Sequence, residues 1–121
     1  MWNCGGWSVK TNDNSNFRNN VILSRNCDII AVCETFLKHD EVICVPDYTW
    51  YGHNRQNLHK QACRGSGGVG FLIKSEILKH FSITILDNNV EDILWLKLSS
   101  KCSNFALCLC VAYLSPAGSS Y

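Results

Sequence analysis

The chain has 121 residues, enough for one domain and too few for two. Hydrophobic residues make up 46% of it and charged residues 17%, a balance that excludes a disordered chain. Its 11 basic and 10 acidic residues leave a net charge of +1, which excludes a strongly basic nucleic-acid-binding module, so any nucleic-acid contact must rest on local placement of charge.

Residues 5–20 are rich in Asn, Ser and Gly and read as a loop leading into a short helix over about residues 16–25, with Phe17, Val21 and Ile22 on one face. Asn26 and Asp28 end it. Residues 29–33 form an uninterrupted apolar run with three β-branched members, which predicts a strand covered on both faces, with Glu34 at its C-terminal end. Pro46-Asp47 marks a turn, and residues 48–51 predict an aromatic strand. Residues 54–64 are polar and basic and predict an exposed loop. Gly65-Ser66-Gly67-Gly68 predicts a turn feeding a strand over residues 69–74. Residues 83–86 and 93–98 predict two further strands. The second alternates, with Ile93, Trp95 and Lys97 on one side and Leu94, Leu96 and Leu98 on the other. The last strand, over residues 105–113, pairs a bulky face (Phe105, Leu107, Leu109, Val111, Tyr113) with a face of small residues (Ala106, Cys108, Cys110, Ala112). Both faces are apolar, so both are expected to be covered. Strands this closely spaced leave little room for the helices of a doubly wound sheet. The expected class is therefore α/β in the α+β sense, with mainly antiparallel strands.

No apolar run approaches the ~20 residues of a membrane span, and the N-terminus lacks the basic start and apolar core of a signal peptide. The expected location is intracellular, nuclear or cytoplasmic, with no membrane partner. In a reducing compartment the 8 cysteines are expected to be mostly small buried hydrophobes rather than disulfide staples. His53, His59 and Cys63 lie near Cys44 in sequence, but no C-x-x-C occurs and the spacings miss the zinc-finger patterns, so no zinc is expected. Cys33, Cys108 and Cys110 read as small side chains in a packed sandwich.

Several segments could carry chemistry. The glycines of residues 65–70 open a strand instead of a helix, and Phe71 stands where a phosphate-binding loop would need Lys. Glu34 ends an apolar strand, where sheet proteins place reactive groups, and its carboxylate suits a hard cation such as Mg²⁺. Arg55, His59, Lys60 and Arg64 form a small basic cluster able to give only weak, salt-sensitive binding to phosphate or nucleic acid. No Ser/His/Asp or Cys/His set has a motif around it, and His39, His53, His59 and His80 sit in polar surroundings that predict solvated side chains.

The order of the motifs is more informative than any one of them. Trp2-Asn3 comes first, then residues 28–35 ending in Glu34-Thr35, then Gly67-Gly68-Val69-Gly70-Phe71-Leu72-Ile73, then Glu91-Asp92-Ile93-Leu94-Trp95, and last Val111-Ala112-Tyr113-Leu114-Ser115-Pro116. This ordered set resembles the N-terminal half of the endonuclease/exonuclease/phosphatase superfamily. Within it, the set is most similar to the endonuclease domains of non-LTR, LINE-like retrotransposons, and the likeness covers nearly the whole chain.

The resemblance implies a two-sheet α/β sandwich with its active site at one rim. It implies hydrolysis of a phosphodiester that depends on Mg²⁺ or Mn²⁺, DNA as the partner, and a reverse transcriptase domain downstream in an intact element. By position, Asn3 matches the Asn beside the scissile phosphate, Glu34 the metal-binding carboxylate, and Tyr113 the hydroxyl that contacts the phosphate. Arg55, Lys60 and Arg64 are the candidate nucleic-acid-binding residues. The family's Asp-x-Asn motif and its Asp-His general base lie beyond the stretch matched here, and a strand normally precedes Trp-Asn. Residues 1–121 are therefore expected to be a partial domain, truncated at both ends and inactive as it stands, from a decayed element or an incomplete gene model. The alternative reading is a non-catalytic binding or scaffold fragment with a weak phosphate-binding loop. A phosphatase of the same superfamily is a third.

Overall fold

The computed structural model describes residues 1–7, 13–56 and 65–114. The elements in chain order are β1 (Trp2–Asn3), α1 (Asp13–Arg25), β2 (Ile29–Cys33), β3 (Tyr48–His53), β4 (Val69–Lys74), a 3₁₀ turn at Ile77–Lys79, β5 (Phe81–Asp87), β6 (Ile93–Ser100) and β7 (Ala106–Ala112). One sheet has the order β1-β2-β4-β3 and the other the order β5-β6-β7. Among the described residues only β1 and β2 run parallel; every other pair is antiparallel. The fold is an α+β sandwich, as the strand spacing predicts.

The four-stranded sheet is the middle layer because its strands carry apolar side chains on both sides. In register, Ile30, Leu72 and Trp50 form a row facing one way, and Ala31, Phe71 and Tyr51 form the next row facing the other. The first face packs with Ile22 of α1 and with Leu37, Ile43 and Val45 of the segment between β2 and β3. The second meets Leu94, Leu96 and Val111 of the three-stranded sheet. Val32 and Cys33, adjacent in sequence, are both buried but belong to opposite cores. The expectation for residues 29–33 therefore holds. The alternation expected along β6 also holds, with Leu94, Leu96 and Leu98 buried and Trp95 42% exposed.

Several sequence expectations need correction. Phe17 does not join the buried face of α1; it is 65% exposed, and Ile22 is the residue that enters the core. The small-residue face of β7 is not covered: Ala106, Cys108, Cys110 and Ala112 are all exposed, because the middle sheet lies against the other side of this sheet. The thiols divide accordingly. Cys4 and Cys33 are buried, whereas Cys27, Cys44, Cys102, Cys108 and Cys110 are exposed, so Cys33 alone of the three proposed sandwich cysteines packs as expected. The exposed-loop expectation for residues 54–64 fails where it begins. Asn54 is 8% exposed and its Nδ2 donates to the carbonyls of His39 and Glu41. His59, Lys60, Cys63 and Arg64 lie outside the described residues. Among the described residues no helix is long and apolar enough to cross a membrane.

The layer assignment has a direct test. Leu94→Ala removes a fully buried side chain between the sheets and is expected to cost about 2–5 kcal/mol in urea unfolding. Its neighbour Trp95 points outward from the same strand, and Trp95→Ala is expected to cost clearly less than Leu94→Ala.

Candidate functional site

Strand directions bring several chain ends to one rim of the sandwich. β1 and β2 are parallel and end together, with Asn3 opposite Cys33. β4 begins at Val69 opposite Cys33, and β3 ends at His53 opposite Val69. In the other sheet, β6 begins at Ile93 opposite Ala112, where β7 ends. One side chain joins the two sets of ends. Asp92, just before β6, accepts the Gly68 N–H on Oδ1 at 2.8 Å and the Arg55 guanidinium on Oδ2. Its carbonyl accepts the Tyr113 N–H at 2.9 Å. Asn3, Glu34, His53, Gly68, Asp92 and Tyr113 thus share a rim.

The backbone around Glu34 is fixed on both sides. The Gly6 and Trp7 N–H groups donate to the carbonyls of Glu34 and Thr35 at 2.7 Å each. On the other side the Thr35 and Phe36 N–H groups donate to Gly68 and Gly67. Between these two segments Glu34 has φ 53° and Phe36 has φ 56°, left-handed conformations that cost a non-glycine residue about 1–3 kcal/mol. Such backbone persists only when its surroundings over-determine it, and here the flanking hydrogen bonds do so. The glycine turn serves the same arrangement. Gly68 has φ +93°, and a Cβ there would run into the Thr35 hydroxyl. What approaches this backbone so closely is the chain's own Thr35 and Asp92. Thr35 is fully buried, and its Oγ1 has no hydrogen-bond partner among the described residues.

The sequence-predicted residues fall as follows. Asn3 is exposed, and its Oδ1 accepts the Gly5 N–H at 3.1 Å, which orients the amide. Glu34 and Tyr113 are half-buried, and Tyr113 packs on the inter-sheet core. Arg55 is not a solvated loop cation. Its side chain is 11% exposed and its guanidinium is engaged by Asp92, with Glu91 at 3.8 Å. His53, expected to be solvated, is half-buried, and its Nε2 is buried with no partner among the described residues. Asp92 is the residue sequence reasoning did not single out. The available signal was an acidic residue directly preceding an alternating strand, within the quoted Glu91-Asp92-Ile93-Leu94-Trp95 segment.

Burial raises the thiols of Cys4 and Cys33 above the usual range, and the Glu34 carboxylate beside Cys33 adds to its shift. Tyr48 and Tyr51 are raised as well, chiefly by burial. Among the described residues no three His, Cys, Asp or Glu side chains stand close enough together to hold a metal ion. Comparison with protein-family models, with curated proteins and with solved structures finds no match.

Two measurements test this geometry. Asp92→Asn keeps an acceptor for Gly68 and tolerates the left-handed φ of 61°, but takes from the Arg55 guanidinium its nearest carboxylate and leaves Glu91 at 3.8 Å. It is expected to cost about 3–5 kcal/mol in urea unfolding, with Arg55→Met in the same chain restoring part of the loss. The second concerns pH. The folded state holds the Cys4 and Cys33 protons more tightly than the unfolded chain does, so this stabilisation is complete below the ordinary thiol pKa of about 8.5 and is lost as pH rises through the raised values. The urea midpoint is expected to fall from neutral to alkaline pH, and less steeply in Cys4→Ala.

Proposed function

We propose that this chain is part of a Mg²⁺-dependent, phosphodiester-hydrolysing, endonuclease-like domain of retrotransposon origin that acts on DNA. We further propose that these 121 residues hold the metal carboxylate and the phosphate donors without cleaving on their own. One observation carries the reading: Asn3, Glu34 and Tyr113, the three residues singled out by motif order, stand at the ends of strands that share one rim.

The donor set fits a particular kind of ion. Glu34 offers hard carboxylate oxygens, and among the described residues it is not part of a cluster of three His, Cys, Asp or Glu side chains. That suits a cation held by one or two carboxylates, water and substrate phosphate oxygens, as Mg²⁺ is, and does not suit tetrahedral zinc. When bound, such an ion supplies positive charge at a phosphoryl oxygen. The chain's own groups would orient the phosphate. Asn3 turns its Oδ1 to Gly5, so its Nδ2 is the donor for an anionic oxygen, and the Tyr113 hydroxyl is a second. Activating the attacking water needs a base. At this rim the Nε2 of His53 is shut off from solvent, and loss of a general base typically lowers rates by about 10²–10⁴-fold.

The alternative, a non-catalytic phosphate-binding loop, is weakened at its first cation, because the Arg55 charge is already met by Asp92.

The test is a Mn²⁺ titration followed by amide NMR. Paramagnetic broadening is expected to centre on Asn3, Glu34, Gly68 and Tyr113 and to disappear in Glu34→Gln, with no metal-dependent nicking of supercoiled plasmid. Broadening centred elsewhere, or unchanged by Glu34→Gln, would overturn the proposal.

A further inference from the structure

Two peptide groups lie between Glu34 and Phe36, and each is held at both of its polar ends. The first joins Glu34 to Thr35. Its C=O accepts the Gly6 N–H at 2.7 Å, and its N–H donates to the Gly68 carbonyl at 3.3 Å. The second joins Thr35 to Phe36. Its C=O accepts the Trp7 N–H at 2.7 Å, and its N–H donates to the Gly67 carbonyl at 2.9 Å. A peptide group is planar, so bonds at both ends fix its plane. On the other side of Glu34, the β2 ladder holds Cys33. The plane of the 34–35 peptide therefore sets the direction in which the Glu34 side chain leaves the backbone.

The anchors at Gly67 and Gly68 need support of their own. They precede the first ladder pair of β4, Cys33 opposite Val69, so the ladder does not fix them. Their φ angles are 56° and 93°, and glycine has no side chain by which packing can hold it. Gly68 is held at its carbonyl by Thr35, which belongs to the segment being positioned, and at its N–H by Asp92 Oδ1 at 2.8 Å. Asp92 is 4% exposed and is itself held by Arg55. Gly67 rests on the same pair: a Cβ there would run into the Arg55 guanidinium and the Asp92 carboxylate.

We propose that Asp92 is a positioning residue for the cation, acting on the Glu34 carboxylate through Gly68 and the 34–35 peptide. The proposal rests on the reading of Glu34 as the metal ligand. It adds that a side chain of the three-stranded sheet sets the affinity of a ligand carried by the four-stranded sheet. The left-handed φ of Glu34 gives the effect its direction. Once Gly68 loosens, the 34–35 peptide can turn, the strain at Glu34 relaxes toward negative φ, and the carboxylate leaves its place. Loss of a partner that orients a metal ligand typically lowers metal affinity about 10–100-fold.

The test separates the two oxygens of Asp92. In chains that also carry Arg55→Met, Asp92→Asn keeps an acceptor for the Gly68 N–H and Asp92→Gly removes it. Both residues tolerate the φ of 61° at position 92, and the two chains carry the same charge. The Mn²⁺ dissociation constant, read from the electron paramagnetic resonance of the free ion, is expected to be at least about tenfold higher in the Gly chain. In the metal-free protein the Thr35 amide is expected to exchange faster in the Gly chain than in the Asn chain. Trimethylamine N-oxide, added until the thermal midpoints agree, is expected to leave the affinity difference in place, because it favours burial without replacing the bond. Gly68→Ala displaces the same peptide with Asp92 intact, since its Cβ would run into the Thr35 hydroxyl, and is expected to weaken Mn²⁺ binding as well. A wild type without a Mn²⁺ site that Glu34→Gln removes would overturn both the metal reading and this proposal. With that site present, equal affinities in the Asn and Gly chains, affinity restored by trimethylamine N-oxide, or a Gly68→Ala chain that binds like wild type would overturn this proposal alone.

Discussion

The Asp92 carboxylate is the constraint on which the rim depends. It has two oxygens and uses both: one takes the Gly68 N–H at the start of β4, the other takes the Arg55 guanidinium just after β3. Its backbone carbonyl takes Tyr113. A single buried residue of the three-stranded sheet therefore holds two strand ends of the four-stranded sheet and one of its own. Hydrophobic packing between the sheets is non-directional and sets only their separation. Directional bonds to Asp92 fix where the two rims meet.

The arrangement also explains why Glu34 stands where it does. Its neighbours on one side, Gly6 and Trp7, follow β1; those on the other, Gly67 and Gly68, precede β4. Glu34 leaves β2 between them in a left-handed conformation, and Gly68 is held by Asp92 at its N–H and by Thr35 at its carbonyl. Glu34, Gly68 and Asp92 are thus one continuous chain of backbone and side-chain bonds across both sheets.

Much of the fold was legible in the sequence. The apolar run at residues 29–33 is bounded by polar residues on both sides, and the strand occupies those same bounds. The alternation of β6 was visible because period two is a local signal. The exposure of Ala106, Cys108, Cys110 and Ala112 was not legible, since an apolar side chain on a sheet's outer face looks in sequence like one in a core. The Arg55–Asp92 pair was hidden for a related reason. Its members are 37 residues apart, and each in isolation is a charged residue in a polar stretch. Motif order named Asn3, Glu34 and Tyr113, but the bonds that bring their strand ends to one rim are tertiary and have no local signature.

The left-handed backbone at Glu34 bears on how this protein could be engineered. At that position Gly adopts the observed φ without penalty, and Asn does so more readily than Glu. Selection for thermal stability alone would therefore favour replacing the carboxylate. Stabilised variants obtained in that way would keep the sandwich and lose the one hard-oxygen ligand on which the proposed metal chemistry depends. Redesign of this scaffold should hold residue 34 fixed and seek stability elsewhere.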